Sequence, residues 1–321
     1  MSPDRTNVPS DQTIVVGVDI GATTIKAGIV NLAGELIESF HQSSPRTLAA
    51  LRDFVHLVLQ QAKTQVGGIG VGCKGIIDTA TSRVNSLPGD LYFLEGRFLV
   101  DVIDPGNLPL RADNDARTAL IAELLWGAAR GRRNAVLLTL GTGVGGAVLV
   151  DGVILRGASG AGGHLGHMTL DLHGGLCICG NHGCVETRFS SRAIESDYLA
   201  HLHRAAPTKL SLGEAGQPPS TEDIFRAAAE GDESARCVLD RALEYLTGAV
   251  VSVLHIFDPE VLIIGGSIAE AGPQLLAPIR EEVASRTPSC WDARFPSYFR
   301  AWSATVEWPA RLGCSSCSRG C

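Results

Sequence analysis

Two hydrophobic periods alternate along this chain, and the points where they switch mark its elements. Residues 13–19 form a β-rich apolar run, TIVVGVD, which reads as a buried strand. Gly21 and Ala22 make a tight turn, residues 25–30 run back, and NLAG turns again into a third strand over residues 35–39. Between residues 46 and 63 the spacing changes. Leu48, Leu51, Val55, Val58 and Ala62 recur on one helical face. GGIGVG predicts a short buried strand at residues 69–72. PLRADNDARTALIAELLWGAA predicts a strand feeding a helix, with the turn at residues 113–115.

The opening pattern then recurs. NAVLLTLGTGVGGAVLVDGVIL is again strand, Gly-rich turn, strand, Asp-Gly turn, strand, about 120 residues after the first copy. That period is far too long for a solenoid and points to one architectural unit used twice. Further on, Val238, Leu239, Leu243, Leu246, Val250 and Leu254 lay out a long helix over residues 234–257. PEVLIIGGSIA is a strand ending at Gly265 and Gly266, and residues 274–285 form another helix. Residues 202–220 and the tail GCSSCSRGC show no periodicity. The alternation predicts an α/β protein with mixed sheets, divided near residue 117 into domains 12–117 and 118–321.

Composition narrows the field. With 321 residues, 45% hydrophobic and 19% charged, the chain can bury two ordinary cores. A net charge of -7 lacks the basic footprint of nucleic-acid binding. No apolar run reaches the roughly 18 residues that span a bilayer, and the polar start has no signal-peptide core. No nucleic-acid or membrane partner is therefore expected, and a cytoplasmic location is. There, nine cysteines read as thiols or metal ligands rather than disulfides.

Four short motifs carry candidate chemistry. DIGATT, residues 19–24, is either a plain turn or a phosphate cradle in which backbone N–H groups and Thr hydroxyls face oxygen, with Asp19 placed for Mg²⁺. LGTGVGG, residues 140–146, is a second such turn, and two between similar strands weigh more than one. No GxxxxGK[ST] occurs, so any phosphate site is not a P-loop. DNDA, residues 113–116, is either a helix cap or a carboxylate placed to take a proton from a substrate hydroxyl. In GHLGHMTLDLHGGLCICGNHGCVE, His167, Cys177, Cys179 and Cys184 form H-x9-C-x-C-x4-C, a closed zinc set with no open position and so a structural one. His173 and His182 sit in polar loop sequence and read as solvated.

Together DIGATT, ADNDA, LGTGVGGAVLVDG, GHLGHM…CICGNHGCVE and VLIIGGSIA, in that order, resemble the ROK family of bacterial sugar kinases and sugar-responsive repressors, over about residues 13–285. The resemblance implies a two-domain actin-like ATPase (ribonuclease H-like) fold with duplicated mixed sheets and a zinc-binding loop at residues 162–186. It also implies an ATP-dependent, Mg²⁺-assisted hexose kinase, glucokinase-like, acting on the 6-hydroxyl. By the same resemblance Asp115 is the base and Asn114, Asn85, Ser86, His167 and Glu186 line the sugar. Gly21, Thr23, Thr24, Gly141, Thr142, Gly143 and Gly145 hold the nucleotide phosphates, Gly265 and Gly266 border the adenosine pocket, and the protein is a homodimer. Zinc would stiffen one wall of the sugar pocket.

Several positions depart from the family pattern. His164 stands where the family has a sugar-contacting Glu, and imidazole brings different hydrogen-bonding capacity. GCKG replaces GVPG and introduces Lys74. SLPGD replaces N-x-P-G-W, with Asn85 one residue early. The family's terminal Gly/Ala-rich helix, which packs back on the first domain, is replaced by a tail bearing Cys314, Cys317 and Cys321. Three alternatives remain open: an N-acetylglucosamine or N-acetylmannosamine kinase, a sugar-binding protein with impaired catalysis, and a DNA-binding repressor. The last needs a helix-turn-helix segment of about 60–80 residues, whereas about twelve residues precede the first strand.

Overall fold

Strand β1 (Ile14–Ile20) pairs antiparallel with β2 (Thr24–Asn31), and β2 with β3 (Leu36–Ser43), so the predicted meander is formed. The structure is a computed structural model that describes residues 13–287, apart from 90, 203–207, 209 and 211–217, together with 299–301. Helix α1 (Leu48–Gln61) starts where the Thr47 hydroxyl accepts the Ala50 N–H at 3.2 Å, and it buries Leu51, Phe54, Val55 and Val58. Strand β4 (Val66–Cys73) returns parallel to β1. A hairpin of β5 (Ile76–Asp78) and β6 (Arg83–Ser86) and the short α2 (Leu99–Ile103) lead to β7 (Leu110–Asn114), parallel to β4, and then to α3 (Asp115–Trp126). The first sheet runs β3-β2-β1-β4-β7.

The second sheet is built the same way. Strands β8 (Ala135–Leu140), β9 (Val144–Val150) and β10 (Val153–Ile154) form the meander. Strands β11 (Val261–Gly265) and β12 (Phe299–Ala301) add in parallel, giving β10-β9-β8-β11-β12. The two orders match position for position, which is the duplication read from the sequence. Helices α4 (Ser191–Leu202), α5 (Thr221–Ala229), α6 (Glu233–Phe257) and α7 (Pro273–Arg286) complete this half. The α6 boundaries have local causes. The Asp232 carboxylate accepts the Ala235 N–H at 2.8 Å, and Asp258 leaves the helix at φ 37°.

Each half has its own apolar core. One centres on Val16, Val18, Leu51, Val55, Val71 and Leu99, the other on Leu138, Val148, Leu246, Val250, Leu262 and Ile279. The compact units divide at Arg130 and Gly131, after α3 rather than at residue 117, and Ala158–Ala161 groups with the first unit. The later boundary has a physical reason: α3 packs against β4 and β7. Helices α4 and α5 are additions to the sequence reading. Cys314, Cys317, Cys321 and the expected return of the tail to the first domain lie outside the described residues. Among the described residues no helix is long and apolar enough to cross a membrane.

Candidate active site

In the first unit the candidate residues gather at the C-terminal ends of the parallel strands, where open α/β sheets place their ligands. Asp19 on β1, Gly72 on β4 and Asp113 on β7 stand in one row of the sheet, and Cys73 is opposite Asn114 in the next. Asn114 then caps α3. Its side-chain oxygen accepts from Ala116 N at 3.0 Å and Arg117 N at 3.3 Å, while its Nδ2 donates to the Gly75 carbonyl at 3.2 Å. The cap reading of DNDA therefore holds for Asn114, whose side chain also hydrogen-bonds the Asp115 carboxylate. The capped turn puts Asp115 first in α3, half-buried, with its carboxylate accepting the Ala116 N–H at 2.9 Å.

Electrostatics sets these carboxylates apart. Burial pushes Asp115 above the ordinary carboxylate range, opposed by the Ala116 N–H and the Lys74 ammonium. Asp19 is pushed up to about 7, by burial first and then by repulsion from Asp115, with Lys26 opposing. Cys73, fully buried behind them, has its thiol driven far up by burial and by Asp115 and Asp19. Such a carboxylate pair is relieved by a cation, so the Asp19 end of the site fits a divalent ion.

The first turn is pinned from outside its own motif. Ser44 donates through its hydroxyl to the Gly21 carbonyl and through its N–H to the Thr23 carbonyl at 2.9 Å. Thr24 is half-buried at the start of β2 and Thr23 is exposed. Asn85 and Ser86 part company on β6. Ser86 shares the inward face with buried Val84 and is level with Ile76, whereas Asn85 is exposed beside Arg83, whose Nη1 donates to it at 3.5 Å. Ser86 thus joins the side of the hairpin nearer Gly75 and Asn114; Asn85 does not.

In the second unit the LGTGVGG turn connects β8 and β9. Its neighbour is the end of β11: a Cβ at Gly266 (φ 91°) would come within 2.3 Å of the Leu140 carbonyl, and Ser267 Oγ lies near Gly141. Gly141, Gly143, Gly145, Gly265 and Gly266 are therefore brought together, with Thr142 exposed at the tip. The N–H of Ser191, at the start of α4, donates to the Gly141 carbonyl at 2.8 Å. The Glu186 carboxylate accepts the Val144 N–H at 2.9 Å.

His167, Cys177, Cys179 and Cys184 converge, with their ligand atoms all within 4.8 Å of one another. Cys177 Sγ lies 3.5 Å from His167 Nδ1 and Cys179 Sγ lies 3.7 Å from Cys184 Sγ. A tetrahedron with bonds of about 2.3 Å to sulfur and about 2.05 Å to nitrogen has edges of about 3.8 and 3.6 Å, so the donor set fits Zn²⁺. Burial and the adjacent Cys179 and Cys177 thiols push Cys184 up to about 12, and a bound cation would remove that penalty. Asn181 Nδ2 donates to Cys184 Sγ at 3.3 Å, a support outside the ligand set. His164 stacks on His167 with ring centroids 6.2 Å apart, so the unusual histidine adjoins the candidate ligand. His173 and His182 are exposed, as read from their polar surroundings.

The family model described as ROK family matches residues 15–292. The chain belongs to the ROK family. It is 32% identical over 278 residues to a glucokinase from Thermotoga maritima, across 84% of this chain and 86% of that one. It is 30% identical over 285 residues to a xylose repressor from Bacillus spizizenii, across 84% of this chain and 68% of that protein. A crystal structure of a ROK glucokinase from Streptomyces griseus, in complex with glucose and AMPPNP, is similar with a TM-score of 0.76 and 27% identity, covering 93% and 96% of the two chains. The fold is accordingly the mixed α/β architecture of the actin-like ATPase class.

Some residues of this ROK chain that shape the site lie outside its motifs. Ser44 acts through its bonds to the Gly21 and Thr23 carbonyls, and Ser191 through its bond to the Gly141 carbonyl. Arg188 pairs with Asp171 and stacks its guanidinium on Tyr245 at 5.1 Å, tying the His/Cys loop to α6. None of them belongs to a recognisable spacing.

Proposed function

We propose that this ROK protein transfers the γ-phosphoryl group of ATP to the 6-hydroxyl of a hexose, with glucose as the leading acceptor. That it is an ATP-dependent sugar kinase follows from glucokinase relatives matched along most of both chains. The observation that carries the finer reading is Asp115, a half-buried carboxylate first in α3, with its pKa raised by burial and restrained by Lys74. A base whose pKa moves toward the working pH is suited to proton transfer.

Asp115 takes the 6-hydroxyl proton as the sugar oxygen bonds to the γ-phosphorus and the bond to the β-phosphate oxygen breaks, releasing ADP. Asn114 and Ser86 orient the sugar. The turn at Gly21, Thr23 and Thr24 offers N–H and hydroxyl donors to phosphate oxygens. Asp19 would hold Mg²⁺, which supplies charge neutralisation on the phosphates.

In the second unit Gly141, Thr142, Gly143 and Gly145 would receive nucleotide phosphates, with Gly265 and Gly266 beside the adenosine. His164, His167 and Glu186 face sugar hydroxyls. His167, Cys177, Cys179 and Cys184 would hold Zn²⁺, which supplies a cross-link that fixes the loop.

The test is an ADP-release assay with ATP and Mg²⁺ over hexoses and N-acetylhexosamines, together with metal analysis of protein purified without chelator. The reading expects the highest kcat/KM for glucose and one zinc per chain. A preference for N-acetylmannosamine or N-acetylglucosamine would reassign the acceptor. Sugar binding without ADP release would leave a regulator or a binding protein, as the repressor relative allows.

A further inference from the structure

The segment that follows the last zinc ligand does more than bear Glu186. It grips the candidate nucleotide turn at both ends. At one end the Ser191 N–H donates to the Gly141 carbonyl at 2.8 Å, and at the other the Glu186 carboxylate accepts the Val144 N–H at 2.9 Å. The fit leaves no slack: a Cβ on Gly143 would lie 2.4 Å from Glu186 Oε2. The segment is itself firm. It forms a 3-10 turn over Val185–Thr187, the Phe189 N–H donates to the Val185 carbonyl at 2.8 Å, and the Phe189 side chain is fully buried.

The other arm of the zinc loop meets the same residue from the opposite side. Gly166, one residue before the ligand His167, packs against the Val144 carbonyl so closely that a Cβ there would lie 1.9 Å from its oxygen. Val144 is therefore held twice. Its N–H is held by Glu186, two residues after the ligand Cys184, and its C=O is covered by the turn that carries His167. Closing the metal site fixes His167 relative to Cys184, and hence the two contacts on Val144.

We infer that Glu186 is a positioning residue for the nucleotide turn, and that through Glu186 and Val144 the occupancy of the zinc site and the affinity for nucleotide are linked. This deepens the kinase reading and rests on it. A carboxylate anchoring an N–H inside the turn sets which way the neighbouring N–H groups face, so its loss is felt in nucleotide binding even without sugar. The linkage is reciprocal: nucleotide that favours the ordered turn must also favour retention of zinc.

The experiment uses the zinc-loaded full chain, Glu186→Ala and Glu186→Gln, in the absence of sugar. Calorimetry measures the Kd of MgAMPPNP, and the zinc-selective chelator TPEN measures zinc loss with and without that nucleotide. Glu186→Ala is expected to weaken AMPPNP by about tenfold or more, the scale of a lost charge-assisted hydrogen bond. Glu186→Gln should stay within about threefold, because its amide oxygen still accepts from Val144. AMPPNP should slow zinc loss several-fold in the wild type and the Gln variant, and not in the Ala variant. An unchanged AMPPNP Kd in Glu186→Ala, or zinc loss indifferent to nucleotide in the wild type, would overturn the inference. Amide exchange over residues 141–145 gives a readout that needs neither nucleotide nor variant. Faster exchange there once zinc is stripped supports the brace even if the protein binds no AMPPNP, a result that would defeat the kinase reading alone; unchanged exchange overturns the brace.

Discussion

Arg117 donates through Nε to the Asp113 carboxylate at 2.6 Å, one helical turn along, and its side chain is 0% exposed. The same guanidinium donates through Nη1 to the Gly160 carbonyl at 3.0 Å, and Asp113 also accepts the Asn114 N–H at 2.7 Å. A buried ion pair thus frames the corner from which Asp115 projects.

Breaking that pair should cost far more than a surface bridge would. Arg117→Met leaves the Asp113 carboxylate buried without its cation, a loss on the order of 3–5 kcal/mol. Denaturant unfolding of the first unit checks it. A loss below about 1 kcal/mol would mean that water reaches Asp113.

Asp115→Asn keeps the shape and removes the basicity. Turnover is expected to fall by about 10²–10⁴-fold with sugar Kd nearly unchanged, measured by coupled assay and calorimetry. Activity within a few-fold of the wild type would take Asp115 out of the base role.

The pH profile of kcat/KM should show the same carboxylate. Only the ionised form accepts a proton, so activity falls as pH drops through the Asp115 pKa, which burial places above the ordinary range. Lys74 lowers that pKa; Lys74→Met removes the help and should move the acid limb to higher pH. An acid limb that stays put or moves down would show that Lys74 does not face the carboxylate in the working enzyme.

His164 stacks against a candidate zinc ligand. Its exchange for Glu should reorder the preference among hexoses rather than scale every rate alike. An unchanged ranking in the sugar panel would place His164 away from the substrate.

How far the sequence leads depends on the range of the interaction. The strands of both meanders and α1 were legible because burial repeats within a few residues. Helix α4 was not: among its residues only Ile194 and Tyr198 are buried, too few to show a period. The convergence of His167, Cys177, Cys179 and Cys184 could be read because they lie in one short segment. The burial of Arg117 could not be read, since nothing local announces that its partner carbonyl is on Gly160. Glu186 was legible as part of a motif, but its bond to Val144 spans a separation no spacing rule covers. The domain division was misplaced for a related reason: a strand-to-helix turn looks like a boundary until α3 packs back on the sheet it left.

Ala158–Ala161 belongs to the first compact unit although the chain on either side of it belongs to the second. The polypeptide is therefore stitched rather than hinged at a single seam. A fragment ending at Arg130 would lack the Gly160 carbonyl that receives the Arg117 guanidinium, and a fragment starting at Gly131 would carry four residues whose packing partners had been cut away. A clean cut of the first unit must therefore carry Ala158–Ala161 with it, although those four residues stand far along the chain from the rest of that unit.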